Sequence, residues 1–325
     1  MIKVSPVPPL GLTPLAMIRD LPAIRCKIVP VRNSMTENFE SKIEQQMERL
    51  KQSSCLEIER EVAQKRIDWV TQNRTAAGKP EHPSPRQAFE ALFFEYMGLP
   101  AKDLPVLSET DTEIVWRSLN RCPTLEACQR LGLDTRQVCR GAYEKSTQAF
   151  LSQLDPQLRF LRSYAEIRPY SDHCMESIVR VDFEEMQRLA IAEARVSKQD
   201  GNKGYGAVVV RGHEILGKAH DTAVTERDPS RHAEDNAIRQ AVQALGESNL
   251  SGAILFSTCE PCPMCSSLAV WANLTTIVYG VSIEETAAMG KSRIRVSAKE
   301  IIEKSPVMIE VIGDVLREEC RALYG

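Results

Sequence analysis

The sequence predicts an α/β three-layer (αβα) domain over the C-terminal half, preceded by an all-helical N-terminal half. Three observations carry this. From Thr36 to about Ala165 apolar residues recur at helical spacing, and no convincing strand pattern occurs before about residue 203. Beyond that point short β-branched runs alternate with helical stretches, as in sheets interleaved with helices. The chain of 325 residues is also longer than one hydrophobic core usually fills. We therefore expect two domains, 1–175 and 176–325, with the change falling near 172–182.

In chain order, residues 1–34 are broken by Pro6, Pro8, Pro9 and Pro14 and have no period, which predicts an extended path. Phe39, Ile43, Met47 and Leu50, then Ile58, Val62, Ile67 and Val70, predict one long or two shorter amphipathic helices up to about Gln72. Gly78 to Pro85 is a breaker cluster, followed by a helix over 85–97 that stops at Gly98 and Pro100. Ser108 reads as the cap of another helix, and further helices follow at 124–131, 134–144, 146–153 and Leu158–Ala165. Asp182–Ser197 opens the second half as a helix with Phe183, Met186, Leu189, Ala190 and Ala194 on its buried stripe. Then come a strand at Tyr205–Val210, a turn at Arg211–His213 and an antiparallel partner at Glu214–Ala219. A helix at His232–Leu245, a buried strand at Ala253–Ser257 and a helix opening at Pro263 follow. Thr275–Tyr279 is a strand, 283–289 and 297–303 are short helices, Val307–Ile312 is a strand, and a last helix starts at Asp314.

Composition excludes some classes of function. With 41 basic and 44 acidic residues the formal net charge is −3, which argues against broad, unspecific nucleic-acid binding. No run of about 18 apolar residues is present, so no membrane span is expected. The N-terminal prolines interrupt any apolar stretch that could serve as an export signal. The ten cysteines are therefore expected as reduced thiols in a cytoplasmic protein.

The chemistry concentrates in Arg231-His232-Ala233-Glu234 and Thr258-Cys259-Glu260-Pro261-Cys262-Pro263-Met264-Cys265. His232, Cys262 and Cys265 supply the three soft donors of a catalytic zinc, one ion per chain, with a fourth position left for water. Pro263 suits the first turn of a helix, which sets Cys262 and Cys265 at a helix N-terminus where the dipole favours thiolates. Ser230 reads as the cap of the preceding helix, with His232 and Glu234 in its first turn. Glu234 would then stand where a carboxylate can take a proton from that water. Alone, the Cys-x-x-Cys pair fits a redox couple or half of a structural zinc site equally well, and Cys259 would be the fourth ligand of a closed site.

The pattern His-x-Glu followed by Pro-Cys-x-x-Cys resembles that of zinc-dependent base deaminases. Residues from about 182 to 325 resemble the cytidine deaminase-like superfamily, in the branch of guanine deaminases, fungal-type cytosine deaminases and tRNA adenosine deaminases. Asp228-Pro229-Ser230-Arg231-His232-Ala233-Glu234 together with the cysteine motif is most similar to guanine deaminases. The resemblance implies zinc at His232, Cys262 and Cys265, proton shuttling at Glu234, and a homodimer. It further implies that Tyr205 stacks on the base, that Trp271 lines the pocket, and that Glu285 makes a second proton transfer. Tyr205 and Trp271 also fit as core aromatics, and Glu285 as a solvated helix residue. The family's base-holding asparagine is replaced by Asp221, seven residues before the Asp-Pro pair. An ionised carboxylate only accepts hydrogen bonds, so the substrate edge should offer N–H donors.

The expected reaction is hydrolytic deamination of a small amino-bearing base or nucleoside, a guanine-type purine being favoured. Two alternatives stay open: a tRNA adenosine deaminase, and a non-catalytic scaffold stapled by zinc. Lys291, Arg293 and Arg295 form only a modest basic cluster, which ranks a small molecule above RNA. In the first half Cys122, Cys128, Cys139 and Cys174 have no familiar ligand spacing and read as packed thiols. No residue pattern there names a role.

Overall fold

Two sheets organise the chain. The computed structural model describes residues 39–74 and 80–325, so the extended path expected for 1–34 and the breaker at Gly78 lie outside the described residues. Helices α1 (Phe39–Gln52) and α2 (Cys55–Arg74) are the two amphipathic segments expected before residue 72. Ser84 and Gln87 form a capping box that starts α3 (Pro85–Glu90), which runs on as a π turn over Ala91–Tyr96. Gly98, at φ +65°, lets the chain leave this helix in the left-handed region.

The N-terminal half is not all-helical. Strands β1 (Val106–Glu109), β2 (Glu113–Ser118), β3 (Leu158–Arg162) and β4 (Cys174–Arg180) form an antiparallel sheet in the order β1-β2-β4-β3. Ser108 therefore lies inside a strand and caps no helix, and Leu158–Ala165 begins as a strand. The physical reason is visible in the burial. Ile114, Trp116 and Ser118 alternate inward on β2, but on β4 the same face carries the charged Glu176, paired with Trp116, and β3 buries the charged Arg159 on its other face, toward the second sheet. Those charges disguise the two-residue period. Glu176 is matched: Ser118 Oγ donates to it at 2.6 Å and Arg162 Nε at 2.8 Å. Trp116, wholly buried against Phe89 and Phe93, centres this core. Three helices, α4 (Pro123–Leu131), α5 (Thr135–Cys139, continued by a π turn over Arg140–Glu144) and α6 (Lys145–Leu154), fall where helical spacing predicted them. The last strand, β4, spans the expected division at 175/176 and pairs with β2 and β3 as far as Arg180.

Asp182 caps α7 (Phe183–Gln199), and the second sheet follows. It contains β5 (Gly206–Arg211), β6 (Glu214–His220), β7 (Ile254–Cys259), β8 (Thr276–Val281) and β9 (Glu310–Ile312), in the order β6-β5-β7-β8-β9. The β5–β6 and β5–β7 pairs are antiparallel, and β7–β8–β9 run parallel. One face packs on α7 through Val208, Val210, Ile254 and Phe256. The other packs on α8 (Ala233–Leu245), α9 (Pro263–Trp271) and α11 (Ala298–Glu303) through Ala207, Val209, Leu255 and Ile277. This is the three-layer arrangement expected; α10 (Ile283–Ala288) and α12 (Arg317–Arg321) complete it.

Two glycines set how closely the helices approach. A Cβ on Gly217 would lie 2.2 Å from the Ala237 carbonyl oxygen of α8, and one on Gly206 would lie 2.0 Å from that of Ala190 in α7. The halves are joined by buried polar contacts. Lys145 Nζ donates to Asn273 Oδ1 at 2.7 Å and to the Leu274 carbonyl at 3.2 Å, and burial lowers its pKa to about 8. Arg159, almost wholly buried, donates to Thr276 Oγ1 at 2.8 Å and Glu310 at 3.1 Å. Among the described residues no helix is long and apolar enough to cross a membrane.

Because α8 carries part of the candidate site, its seating on β6 is directly testable. Gly217→Ala is expected to cost about 1–3 kcal/mol through overpacking, read as a lower urea midpoint at unchanged slope.

Candidate active site

The site forms where two helices begin at one edge of the second sheet. The chain leaves β7 at Cys259, and Cys262 is the N-cap of α9 with an extended backbone and Pro263 at the first helical position. His232 is likewise the N-cap of α8, also extended, so Glu234 falls in the first turn. Ser230 does not cap α8. Its amide and hydroxyl both turn to Asp228 Oδ1, at 2.9 and 2.7 Å, because it stands two residues before the helix boundary.

His232, Cys262 and Cys265 come together. The Nδ1 of His232 lies 3.6 Å from Cys262 Sγ and 3.5 Å from Cys265 Sγ, and the sulfurs are 3.7 Å apart. Zinc–sulfur and zinc–nitrogen bonds of ordinary length, at tetrahedral angles, require edges of about 3.8 Å between sulfurs and about 3.6 Å from nitrogen to sulfur. The donor triangle therefore fits zinc in both chemistry and size. Among the described residues it is the single group of three or more such side chains whose ligand atoms gather within 4.8 Å. Cys259 is not a fourth member; its sulfur lies 3.8 Å from Thr286 Oγ1 and 3.4 Å from Arg293 Nη2. Cys122, Cys128, Cys139 and Cys174 are free thiols that form no comparable group.

The electrostatics follow from the crowding. The hydrogen bond from Cys265, helped by His232, lowers the Cys262 thiol to about 4. The same bond, with burial and the nearby Glu234, pushes Cys265 well above its usual value. The hydrogen bond to Cys262 raises the His232 pKa. Burial, then the charge of Cys262, raises that of Glu234. Glu234 Oε1 accepts from Ser257 Oγ at 3.0 Å, and its Oε2 lies 3.6 Å from Cys265 Sγ. Sequence reading missed Ser257 as the residue that orients this carboxylate; its signal is a lone hydroxyl on an otherwise apolar inward row.

Asp221 is fully buried, and its amide donates to the Tyr205 carbonyl at 3.0 Å. Its Oδ1 accepts weakly from the Ala223 amide at 3.3 Å, and its Oδ2 is buried without a partner. The amide of the next residue, Thr222, donates to the Arg231 carbonyl at 3.0 Å, so this unsatisfied acceptor stands next to the segment that carries His232. Tyr205 is close by but is not a free stacking surface. Its ring packs on Tyr324, with centroids 5.2 Å apart, and under the Arg293 guanidinium at 4.8 Å, which also donates to its hydroxyl. Trp271 is 77% exposed, so within this chain it is not a core residue. As the last residue of α9 it falls outside the buried face of Cys265, Ser266, Ala269 and Val270. Glu285 is occupied by Arg317 Nη2 at 2.9 Å and Arg321 Nε at 3.0 Å, and no hydrogen bond among the described residues links it to the triad. Glu260, between the cysteine positions, is a clip: its carboxylate accepts from the first amides of α10 and α11, Ile283 and Ala298, both at 2.9 Å.

Comparison with known proteins comes to the same region. Residues 181–281 match the family described as the cytidine and deoxycytidylate deaminase zinc-binding region. A tRNA-specific adenosine deaminase of Bacillus subtilis (strain 168) is 34% identical over 136 residues, which cover 42% of this chain and 82% of that relative. A guanine deaminase of the same organism is 37% identical over 86 residues, covering 26% of this chain and 55% of its own length. A structure solved in work on A-to-I editing by tRNA:A34 deaminases is 26% identical, covering 43% of this chain and 98% of its own, with a TM-score of 0.39.

The triad predicts a stoichiometry. The purified protein should carry about one zinc per chain, and Cys262→Ser should carry far less after gel filtration in metal-free buffer, measured by mass spectrometry of the metal. A full equivalent retained by the variant would exclude Cys262 as a ligand.

Proposed function

The chain belongs to the cytidine and deoxycytidylate deaminase zinc-binding family, whose members are zinc-dependent hydrolases of C–N bonds, and from that premise we propose that it removes the exocyclic amine of a free nucleobase, a guanine-type purine in first place. The single observation that carries the choice of substrate is Asp221, a buried carboxylate with one oxygen unsatisfied beside the donor triangle. Such an acceptor demands an N–H donor. A free purine offers one at the ring nitrogen that carries the sugar in nucleosides and RNA, as well as at its amidine edge.

When bound, zinc at His232, Cys262 and Cys265 supplies the Lewis acidity that makes a water nucleophilic near neutral pH. The remaining work falls to the chain. Glu234, steadied by Ser257 Oγ at 3.0 Å, takes one proton from the attacking water and delivers it to the ring nitrogen beside the reacting carbon. Glu234 then takes the proton of the hydroxyl added to the ring carbon and delivers it to the exocyclic amine, whose C–N bond breaks, so that ammonia leaves as the ring carbonyl forms. Asp221 holds the base by its N–H edge. Tyr205, fixed by Tyr324 and Arg293, forms a wall of the pocket and not a mobile stacking ring. Glu285, neutralised by Arg317 and Arg321, drops out of the proton path in this reading.

The second reading is tRNA adenosine deamination, favoured by the match that spans 82% of the tRNA-specific relative. Against it, the basic cluster is mostly spent: Arg293 serves Tyr205 and Thr286, and Arg295 pairs with Glu284 at 3.7 Å. Assembly as a homodimer belongs to either reading, and light scattering tests it.

Ammonia release should be measured across free bases, nucleosides and a tRNA, with a chelator-treated control. We expect turnover on a free purine and no salt-dependent tRNA affinity; turnover confined to tRNA would reverse the order of the two readings. Glu234→Gln should keep its zinc yet lose at least about 100-fold in kcat, so appreciable residual activity would remove Glu234 from the proton path. Asp221→Asn should shift the preference among guanine, cytosine and adenine derivatives, and an unchanged ranking would discard the donor-edge argument.

A further inference from the structure

A cavity of about 640 Å³ opens where the two sheets meet, near the start of β7, whereas the triad lies beyond the other end of that strand. Its walls come from both halves and include Arg140, Glu144, Arg162, Glu176, Arg211 and Ser251. That volume accommodates a small organic ligand.

What distinguishes the cavity is a surplus of donors. The carboxylates deep in its wall are already matched. Glu176 is held by Ser118 and Arg162, and Glu144 accepts from the hydroxyls of Tyr164 and Ser251. The guanidinium groups are not matched in the same way. Arg162 spends Nε and Nη2 on Glu176, but its Nη1 is buried without a partner. The Arg140 guanidinium sits over the Tyr164 ring, 4.1 Å from its centroid, with its Nε buried and unpartnered. The Arg211 side chain, whose stem passes Gly252, makes no hydrogen bond or ion pair among the described residues. Three arginines in one cavity therefore hold unused N–H groups, and buried donors normally find acceptors. At the exposed rim the balance reverses, since Glu214 and Glu247 are unpaired carboxylates. A ligand that suits both ends presents a many-oxygened anion inward and hydrogen-bond donors outward.

We infer that this cavity binds a small phosphate ester of about the size of a nucleoside monophosphate, with its phosphate on Arg140, Arg162 and Arg211, at a place separate from the zinc triad. Phosphate fits because guanidinium forks engage its oxygens in pairs, and the space left over accommodates a sugar and a ring. Both halves of the chain wall the site, which gives the N-terminal half a part in ligand binding.

Isothermal titration of the zinc-loaded full chain tests this with three probes: uridine 5′-monophosphate (which has no exocyclic amine to lose), uridine, and inorganic phosphate. The expected result is saturable binding of the monophosphate, at least tenfold tighter than either of the others. Arg140→Gln and Arg211→Gln should each weaken it at least tenfold while zinc content and melting temperature stay as in the parent. Equal binding of uridine, no binding of the monophosphate, or affinity untouched by both variants would overturn the inference. Inorganic phosphate binding as tightly as the ester would identify the free ion as the occupant and overturn the assignment to an ester.

Discussion

The site depends on two helices starting at the same point in space. His232 and Cys262 occupy equivalent N-cap positions on α8 and α9, and Cys265 follows one turn into α9. An imidazole, two sulfurs and a carboxylate would repel or neutralise one another at these separations without a cation among them. The two helix dipoles point their positive ends at the same spot and favour the thiolate form of the cysteines. The sheet makes this convergence possible. The parallel β7–α9–β8 unit brings α9 back over the end of β7, and α8 reaches the same edge because the bare backbone of Gly217 lets it lie against β6.

The C-terminal half could be read from its residues because its two periods are unmixed. Apolar strands such as β7 lie between sharply bounded helices, and Pro263 announces the start of α9. The N-terminal half misled for a specific reason. Arg159 and Glu176 are buried on opposite faces of one sheet, at strand positions where apolar residues are expected, and each is held there by polar partners from other elements, Thr276 and Glu310 for Arg159 and Ser118 and Arg162 for Glu176. Ser108, followed by acidic residues, offered a false helix cap.

The same contrast holds within the site. Cys262 and Cys265 could be placed because Pro263 marks the start of α9, whereas the start of α8 beside His232 and Glu234 was placed two residues early, at Ser230. Asp221 could be placed by spacing, but its unsatisfied oxygen belongs to the tertiary structure. Tyr205 was found and its surroundings were not. Arg293 and Tyr324, which clasp its ring, lie 88 and 119 residues further along the chain and carry no local signal of that contact. Trp271 lies on the exposed side of α9, so of the two roles open to it in the sequence, that of a core aromatic is excluded.

Lys145 carries a consequence for how the chain can be divided. Its ammonium group arises in the first half and settles in the turn after α9, the helix that begins with the metal-binding cysteines. The catalytic half is therefore not a detachable cassette. Excised at α7, it would keep every donor of its metal centre but leave the Leu274 carbonyl and Asn273 Oδ1 without the ammonium that joins them, a raw seam facing water at the far end of the helix on which the chemistry rests.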